Sequence, residues 1–394
     1  MRSHADAAPV HVAPELWRRA RRMLCVRLDA LGDVLMTTPA LRALKQSAPE
    51  REIHLLTSAA GAAAAPHAPM VDRVLTWEAP WMKHPVAPTS AAMDAFVAKL
   101  RAERYDAAVI FTVYSQSALP AAMLCWLADI PLRLAHAREN PYHLLTDWEP
   151  EPEPAALLRH EVQRQLELVA SIGAHTSDTR LAFDLREQDD IGALRILRER
   201  GVDVARDWIV VHPGASAPSR RYPAELYAAA LRRLAREHPC QFLLTGTANE
   251  SALLHMLAAQ VPGAVALAGA LNVGELGCVL SRASLLIANN TGPAHIAAAV
   301  GTPVVDLYAL TNPQHTPWLV PQRVLSHDVP CRNCYRSVCP EGHHACLRGV
   351  PPEAVARAAL ELLAETHAAR SPQIEATVFH QAVGRATEDS MCIR

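Results

Sequence analysis

The stretch Asn289-Asn290-Thr291-Gly292-Pro293-Ala294-His295 lies between two apolar runs, Leu285-Leu286-Ile287-Ala288 and Ile296-Ala297-Ala298-Ala299-Val300. A short apolar strand stops at polar residues and a glycine, and a helical pattern begins. That change of period constrains the chain to a strand–turn–helix unit of an open α/β sheet. In such sheets ligands bind at the carboxyl ends of strands, where free helix N–H groups favour anions such as phosphate. A second segment repeats the arrangement. Arg27-Leu28-Asp29-Ala30-Leu31-Gly32-Asp33-Val34 follows the apolar run Met23-Leu24-Cys25-Val26, ending a strand at a glycine and an acid before a helical pattern. Two such points, far apart in sequence, predict two nucleotide-binding-like halves facing one cleft.

The 394 residues suffice for two domains. Strands are expected at 23–28, 53–57, 73–76 and 107–112, with helices at about 33–46, 89–104, 116–128 and 160–172. This alternation predicts a doubly wound parallel sheet. Thr38-Pro39 should kink or delay the first helix. The acidic, proline-rich stretch 149–154 reads either as a surface linker or as a loop within the first half. In the second half, strands are expected at 208–211, 241–244, 264–267, 285–288 and 304–308, with helices at 224–238, 249–260 and about 353–369. The expected organisation is a loose extension over 1–20, one domain over 21–185, a second over 186–370 and a polar tail over 371–394.

Composition excludes little but is informative on partners. Lys and Arg number 38 against 40 Asp and Glu, so net charge gives no general argument for nucleic acid. No window approaches the roughly 18 apolar residues of a membrane-spanning helix. The first twenty residues lack the apolar core of a signal peptide, and a cytoplasmic location is expected.

Several motifs carry chemistry. Asp33, next to Gly32, is placed to accept a proton from a substrate hydroxyl, or else to cap the helix. His212-Pro213-Gly214-Ala215-Ser216 ends a strand with small residues, and Arg220 and Arg221 follow. Small residues admit a phosphate to the backbone and arginine binds it with two donors; solvated arginines on an ordinary loop are the alternative. Glu250 follows the strand end Thr245-Gly246 and suits either a ribose hydroxyl or the first turn of its helix. Asn290, Thr291, Gly292 and His295 offer amide, hydroxyl, bare backbone and imidazole. The Gly32 segment lacks the three glycines of a dinucleotide fingerprint, which argues against hydride transfer.

Of the nine cysteines, Cys331, Cys334, Cys339 and Cys346 cluster within sixteen residues. Four thiolates suit tetrahedral zinc or an iron centre, with His343 and His344 as substitutes; free thiols or a disulfide are the other readings. Trp17-Arg18-Arg19-Ala20-Arg21-Arg22 is a basic cluster with one aromatic residue. It suits contact with an anionic membrane surface, or is a solvated helical turn.

Together, residues 27–41, 212–216 and 289–299 resemble glycosyltransferase family 9, the heptosyltransferases of lipopolysaccharide core assembly, over roughly residues 23–365. The resemblance implies a GT-B fold, two Rossmann-like domains with a cleft between them. It implies inverting transfer without a catalytic metal or other required cofactor. The donor, ADP-heptose, would bind the second domain, and a lipid-linked core oligosaccharide acceptor the first, with Gly32 on the acceptor side. Asp33 matches the family's proposed general base. Arg220 matches a basic residue that holds the donor diphosphate, with Arg221 close enough to share the role. Gly214, Ala215 and Ser216 would lie along the phosphates, and Glu250 would reach the ribose or base. Thr291 and Gly292 would face the diphosphate, with His295 behind. Asn290 departs from the acid many relatives carry, and so bears on donor preference. The cysteine loop recurs in some relatives, where it is not needed for the chemistry. The resulting expectation is heptose transfer from ADP-heptose to an inner-core acceptor at the inner face of the cytoplasmic membrane. The alternatives are a transferase of another nucleotide sugar, a nucleotide-sugar epimerase, or a catalytically silent nucleotide- or carbohydrate-binding protein.

Overall fold

A computed structural model of the chain describes residues 12–83 and 89–367. The expected tail over 371–394 and the first eleven residues lie outside the described residues. In chain order the first half comprises α1 (Pro14–Arg19), β1 (Arg22–Arg27), α2 (Leu31–Ser47), β2 (Glu52–Thr57), α3 (Ala59–Ala62), β3 (Arg73–Thr76), α4 (Ser90–Glu103), β4 (Ala107–Ile110), α5 (Leu119–Leu127), β5 (Leu132–Ala137), β6 (Asp147–Pro150) and α6 (Glu161–Ala170). The second comprises α7 (Glu187–Glu199), β7 (Trp208–His212), α8 (Ala224–Glu237), β8 (Gln241–Gly246), α9 (Ser251–Ala258), β9 (Ala264–Ala268), α10 (Val273–Ser281), β10 (Leu285–Asn289), α11 (Gly292–Val300), β11 (Val304–Leu307), β12 (Gln322–Leu325) and α12 (Ala345–Arg348). A helix over 352–367 closes the described chain.

Both halves form six-stranded sheets, ordered β3-β2-β1-β4-β5-β6 and β12-β11-β10-β7-β8-β9. The second order is the first repeated, since β7 is flanked by β8 and β10 as β1 is by β2 and β4. All pairings are parallel, from Arg22↔Glu52 in the first sheet to Val304↔Gln322 in the second. Parallel strands are covered on both faces and so read as continuous apolar runs. Met23, Leu24, Cys25 and Val26 are accordingly all buried, as are Leu285, Leu286, Ile287 and Ala288. Strand order reverses between β1 and β4 and between β7 and β10, which opens a crevice at the carboxyl ends of β1, β7 and β10.

The helices that leave β1 and β10 pack on one another. α2 is buried almost all round because it meets α6 on one side and α11 on the other. Glycines allow the approach. A Cβ on Gly32 would stand 2.5 Å from His295 Cδ2, and one on Gly292 would stand 3.0 Å from Leu31 Cδ2. The two switch points thereby come together in space.

Three expectations are corrected. α2 runs through Pro39 without a break. Proline supplies no N–H for the Leu35 carbonyl, and the Thr38 hydroxyl donates to it instead at 2.6 Å. The stretch 149–154 is not a linker. Glu149 and Pro150 belong to β6, and Glu153 is buried with its carboxylate 3.2 Å from Arg159 and Arg164. Residues 12–20 of the expected loose extension pack on the first half through Val12, Trp17 and Ala20. Trp17 is buried, and the Arg51 guanidinium donates to its carbonyl at 2.6 Å. The indole belongs to the core and is withdrawn from any surface contact.

Candidate active site

A cavity of about 600 Å³ lies where the two switch points meet. Gly32, Asp33 and Met36 line it from the first half. Ala215, Ser216, Arg220, Arg221, Glu250, Asn290, Thr291, Gly292 and His295 line it from the second. Ten sequence-predicted site residues thus gather with Gly32 at one place. Gly214 stands just behind, where an added Cβ would fall 1.9 Å from Glu250 Oε1. The cysteines Cys331, Cys334, Cys339 and Cys346 do not line it.

Asp33 sits in the first turn of α2. Its Oδ2 accepts the Ala30 N–H at 3.0 Å, so it does cap the helix, while the carboxylate also faces the cavity. Behind it the fully buried Arg27 ends β1 and holds three carboxylates. Nη1 donates to Glu161 Oε1 at 2.7 Å, Nη2 donates to Asp33 Oδ1 at 3.1 Å, and Nε lies 2.9 Å from Asp29 Oδ2. Burial pushes the Asp33 carboxyl up, but Arg27, with lesser help from His315, the Ala30 N–H and His295, outweighs it and holds Asp33 below the ordinary carboxylate range. Asp29 goes the other way, where burial outweighs Arg27 and raises it to about 6. The pair is split by environment, with Asp33 the stronger acid of the two.

The opposite wall is positive and hydrogen-bonding. Arg220 lies beside the N-terminus of α11, whose first turn presents Gly292 and Pro293. The Arg221 guanidinium donates to the Ala215 carbonyl at 2.7 Å, fixing the loop after β7. Asn289 at the end of β10 pins that same loop, accepting from the Tyr222 N–H at 3.0 Å and donating to the Pro213 carbonyl at 2.7 Å. Glu250 Oε2 accepts from the Thr247 N–H at 2.8 Å, so it stabilises the turn before α9 and lines the cavity as well.

Sequence reasoning misses His315 and Glu161, and names His212 in its motif without giving it a role. His315 sits in the loop after β11, with its Nε2 buried and without a hydrogen-bond partner among the described residues. Burial first, against the pull of Asp33 and Glu161, lowers its pKa; burial likewise holds His295 at about 3 and His212 at about 4. These imidazoles are neutral at neutral pH. The His315 loop belongs to the second sheet yet is fastened to the first half. The Glu161 N–H donates to the Gln314 carbonyl at 3.1 Å, and the Trp318 indole donates to the Thr179 carbonyl at 2.7 Å. Nothing periodic in Thr311 to Trp318 signals this.

The four clustered cysteines are half-buried free thiols, three in the loop before α12 and Cys346 within that helix. Among the described residues no three His, Cys, Asp or Glu side chains are placed to hold a metal ion. Among them, too, no helix is long and apolar enough to cross a membrane.

An ionised carboxylate facing arginines and a helix N-terminus across a cleft suits group transfer from an anionic leaving group. Comparison with known proteins agrees in kind. The lipooligosaccharide heptosyltransferase 2 of Campylobacter jejuni is 27% identical over 217 residues, which cover 53% of this chain and 65% of that protein. Among solved structures, a family 9 glycosyl transferase from Veillonella parvula superposes with a TM-score of 0.74 at 20% identity, covering 91% of this chain and all of that one. The ADP-heptose lipopolysaccharide heptosyltransferase II of Escherichia coli superposes with a TM-score of 0.68 at 22% identity, covering 88% and 99%. These likenesses show the GT-B fold. The sequence pattern of glycosyltransferase family 9 (heptosyltransferase) matches residues 93–345, well over half of the chain. The chain belongs to glycosyltransferase family 9.

Proposed function

We propose that this chain transfers a heptose from ADP-heptose to a sugar of a lipid-linked core oligosaccharide, with inversion and with Asp33 as general base. The observation that carries the reading is Asp33 itself, a half-buried carboxylate held ionised by Arg27, 3.1 Å away, at the rim of the cavity. An acceptor hydroxyl beside Asp33 attacks the anomeric carbon from the face opposite the diphosphate. The new C–O bond forms as the bond to ADP breaks, and the hydroxyl proton passes to Asp33. The departing diphosphate carries the developing charge. Arg220, Arg221 and the α11 N-terminus stand where they would meet it, and this supports departure without a metal. Gly214, Ala215 and Ser216 would follow the phosphates, Glu250 the ribose, and Asn290, Thr291 and His295 the donor sugar side. The division into an acceptor unit over 21–185 and a donor unit over 186–370 belongs to the same proposal.

Reaction at the cytoplasmic face of the inner membrane is supported by the exposed Leu16, Arg18, Arg19 and Arg21 around α1, and would weaken with salt. The four thiols suit a structural zinc or iron ion in their chemistry, although as placed they do not converge on one. Mass spectrometry of the lipid acceptor after incubation with ADP-heptose tests the reaction. A gain of one heptosyl residue, with the new linkage inverted by NMR, is expected. ADP-heptose consumed without acceptor, or left intact with every core acceptor, would overturn the proposal.

A further inference from the structure

The loop that carries His315 is fixed on both sides of the histidine. The Gln314 carboxamide donates to the Arg159 carbonyl at 2.9 Å and to Glu153 Oε1 at 3.1 Å. His160 Nε2 donates to the Thr316 carbonyl at 2.9 Å, and the His315 backbone N–H donates to the Tyr308 hydroxyl at 3.2 Å. None of these bonds uses the His315 ring. The loop therefore holds the imidazole in place while leaving its Nε2 buried and without a hydrogen-bond partner among the described residues. A buried polar atom without a partner is costly and calls for an explanation. This one belongs to a side chain on the wall of the active-site cavity, where a ligand would complete it.

A smaller cavity of about 240 Å³ adjoins the first. Among the described residues only Asp33, Arg220 and His315 line both, so these three stand at the neck between them. Two of the three already have parts in the proposed reaction. Asp33 takes the proton of the attacking hydroxyl, and Arg220, which is in no ion pair among the described residues, meets the diphosphate. The charge of the third decides what it can do. Burial lowers the His315 pKa, Asp33 and Glu161 oppose it, and Arg27 and Arg220 add to it. Burial lowers the neighbouring His160 and His295 as well. An imidazolium at the neck would pair with Asp33 and tie up the carboxylate that has to receive the proton. A neutral ring leaves Asp33 free and still has an N–H to donate.

We propose that His315 is a further catalytic residue, whose imidazole donates its Nε2–H to a phosphate oxygen of the departing ADP beside Arg220. The inference rests on the transferase reading above. As the bond from the anomeric carbon to the diphosphate oxygen breaks, its electron pair goes to that oxygen. The Nε2–H meets the charge that grows on the diphosphate, and the proton stays on the ring. A donor fixed in place before the reaction, and aimed where charge develops, stabilises the transition state more than the ground state.

The test measures heptosyl transfer from ADP-heptose by the full-length protein, comparing wild type with His315→Ala and His315→Gln. His315→Ala should lower kcat about a hundredfold and leave the ADP-heptose KM nearly unchanged, as befits an interaction made in the transition state. The glutamine carboxamide offers an N–H about where Nε2 stood and does not titrate. His315→Gln should therefore recover most of the lost kcat and keep the pH profile of wild type. Recovery by glutamine, together with an unchanged KM in both variants, separates this role from a merely structural one. Wild-type kcat in His315→Ala would overturn the inference. So would a glutamine variant as slow as the alanine one, which would mean that the ring acts by exchanging a proton. A defect confined to the ADP-heptose KM would overturn it too, because His315 would then serve ground-state binding alone. Wild type inert toward ADP-heptose would instead bring down the functional reading, and this inference with it.

Discussion

Replacing Arg27 by glutamine should move the acid limb of the pH–rate profile. One guanidinium holds Asp29, Asp33 and Glu161 at 2.9, 3.1 and 2.7 Å, and it is fully buried. With charge centres about 4 Å apart and an effective dielectric of about 20, the Arg27–Asp33 attraction amounts to ~4 kcal/mol. Loss of that attraction corresponds to about three pH units in the protonation of Asp33. Wild-type Asp33 lies below the ordinary carboxylate range, so its limb in kcat/KM should fall below about pH 4. In Arg27→Gln the limb should rise by as much as about three pH units. Stability should fall by roughly 3–5 kcal/mol, since three carboxylates lose their buried partner. Arg27→Lys keeps the charge but cannot span three acids on separate nitrogens, and its limb should move much less. ADP release from ADP-heptose measured from pH 4.5 to 8.5 reads the shift. A folded Arg27→Gln enzyme with its limb still below pH 4.5 would refute the claim that Arg27 sets the ionisation of Asp33.

Gly214→Ala should raise the donor KM, because the new Cβ would stand 1.9 Å from Glu250 Oε1 and must displace that carboxylate; an unchanged donor KM would separate Glu250 from donor binding. Acidification should destabilise the fold. Burial holds His136, His212 and His295 at about 3, 4 and 3, below the ordinary imidazole value of about 6.5. The unfolded chain then binds more protons, so stability is full above about pH 6.5 and is lost as pH falls toward the folded values. Each group contributes up to ~1.4 kcal/mol per pH unit, and urea midpoints at pH 7.5 and 5.5 should differ accordingly; equal midpoints would contradict the burial argument. Elemental analysis of reduced, purified protein should find zinc or iron if the cysteine loop holds an ion, and a metal-free protein of unaltered stability would dismiss it.

The sheet centres and both switch points were legible because parallel strands run apolar and stop at glycine and polar residues. On that ground Asn290 to His295 reads as a candidate site, whereas Gly32-Asp33 reads equally as a helix cap until the family resemblance is added. β5 was not legible. Its sequence Leu132–Ala137 contains Arg133 and His136, which look exposed. Arg133 is buried because its guanidinium donates to the His143 and Leu144 carbonyls, contacts made only once the chain has folded. The same holds for Arg27 and Glu161, 134 residues apart, and for Glu153, whose place in a proline-rich run suggested a surface until Arg159 and Arg164 neutralised it. His315 comes from a loop without period, and only its anchorage to α6 carries it to Asp33. The basic neighbours of Trp17 suggest a surface aromatic, whereas its carbonyl accepts from Arg51 and its ring belongs to the first core.

The most direct test is ADP release from ADP-heptose in the presence of a heptose-free core lipid, comparing wild type with Asp33→Ala. The account predicts acceptor-dependent release by wild type and its loss in the variant, with ADP binding retained. Release by Asp33→Ala at the wild-type rate would contradict the central claim that the carboxylate held by Arg27 takes the acceptor's proton.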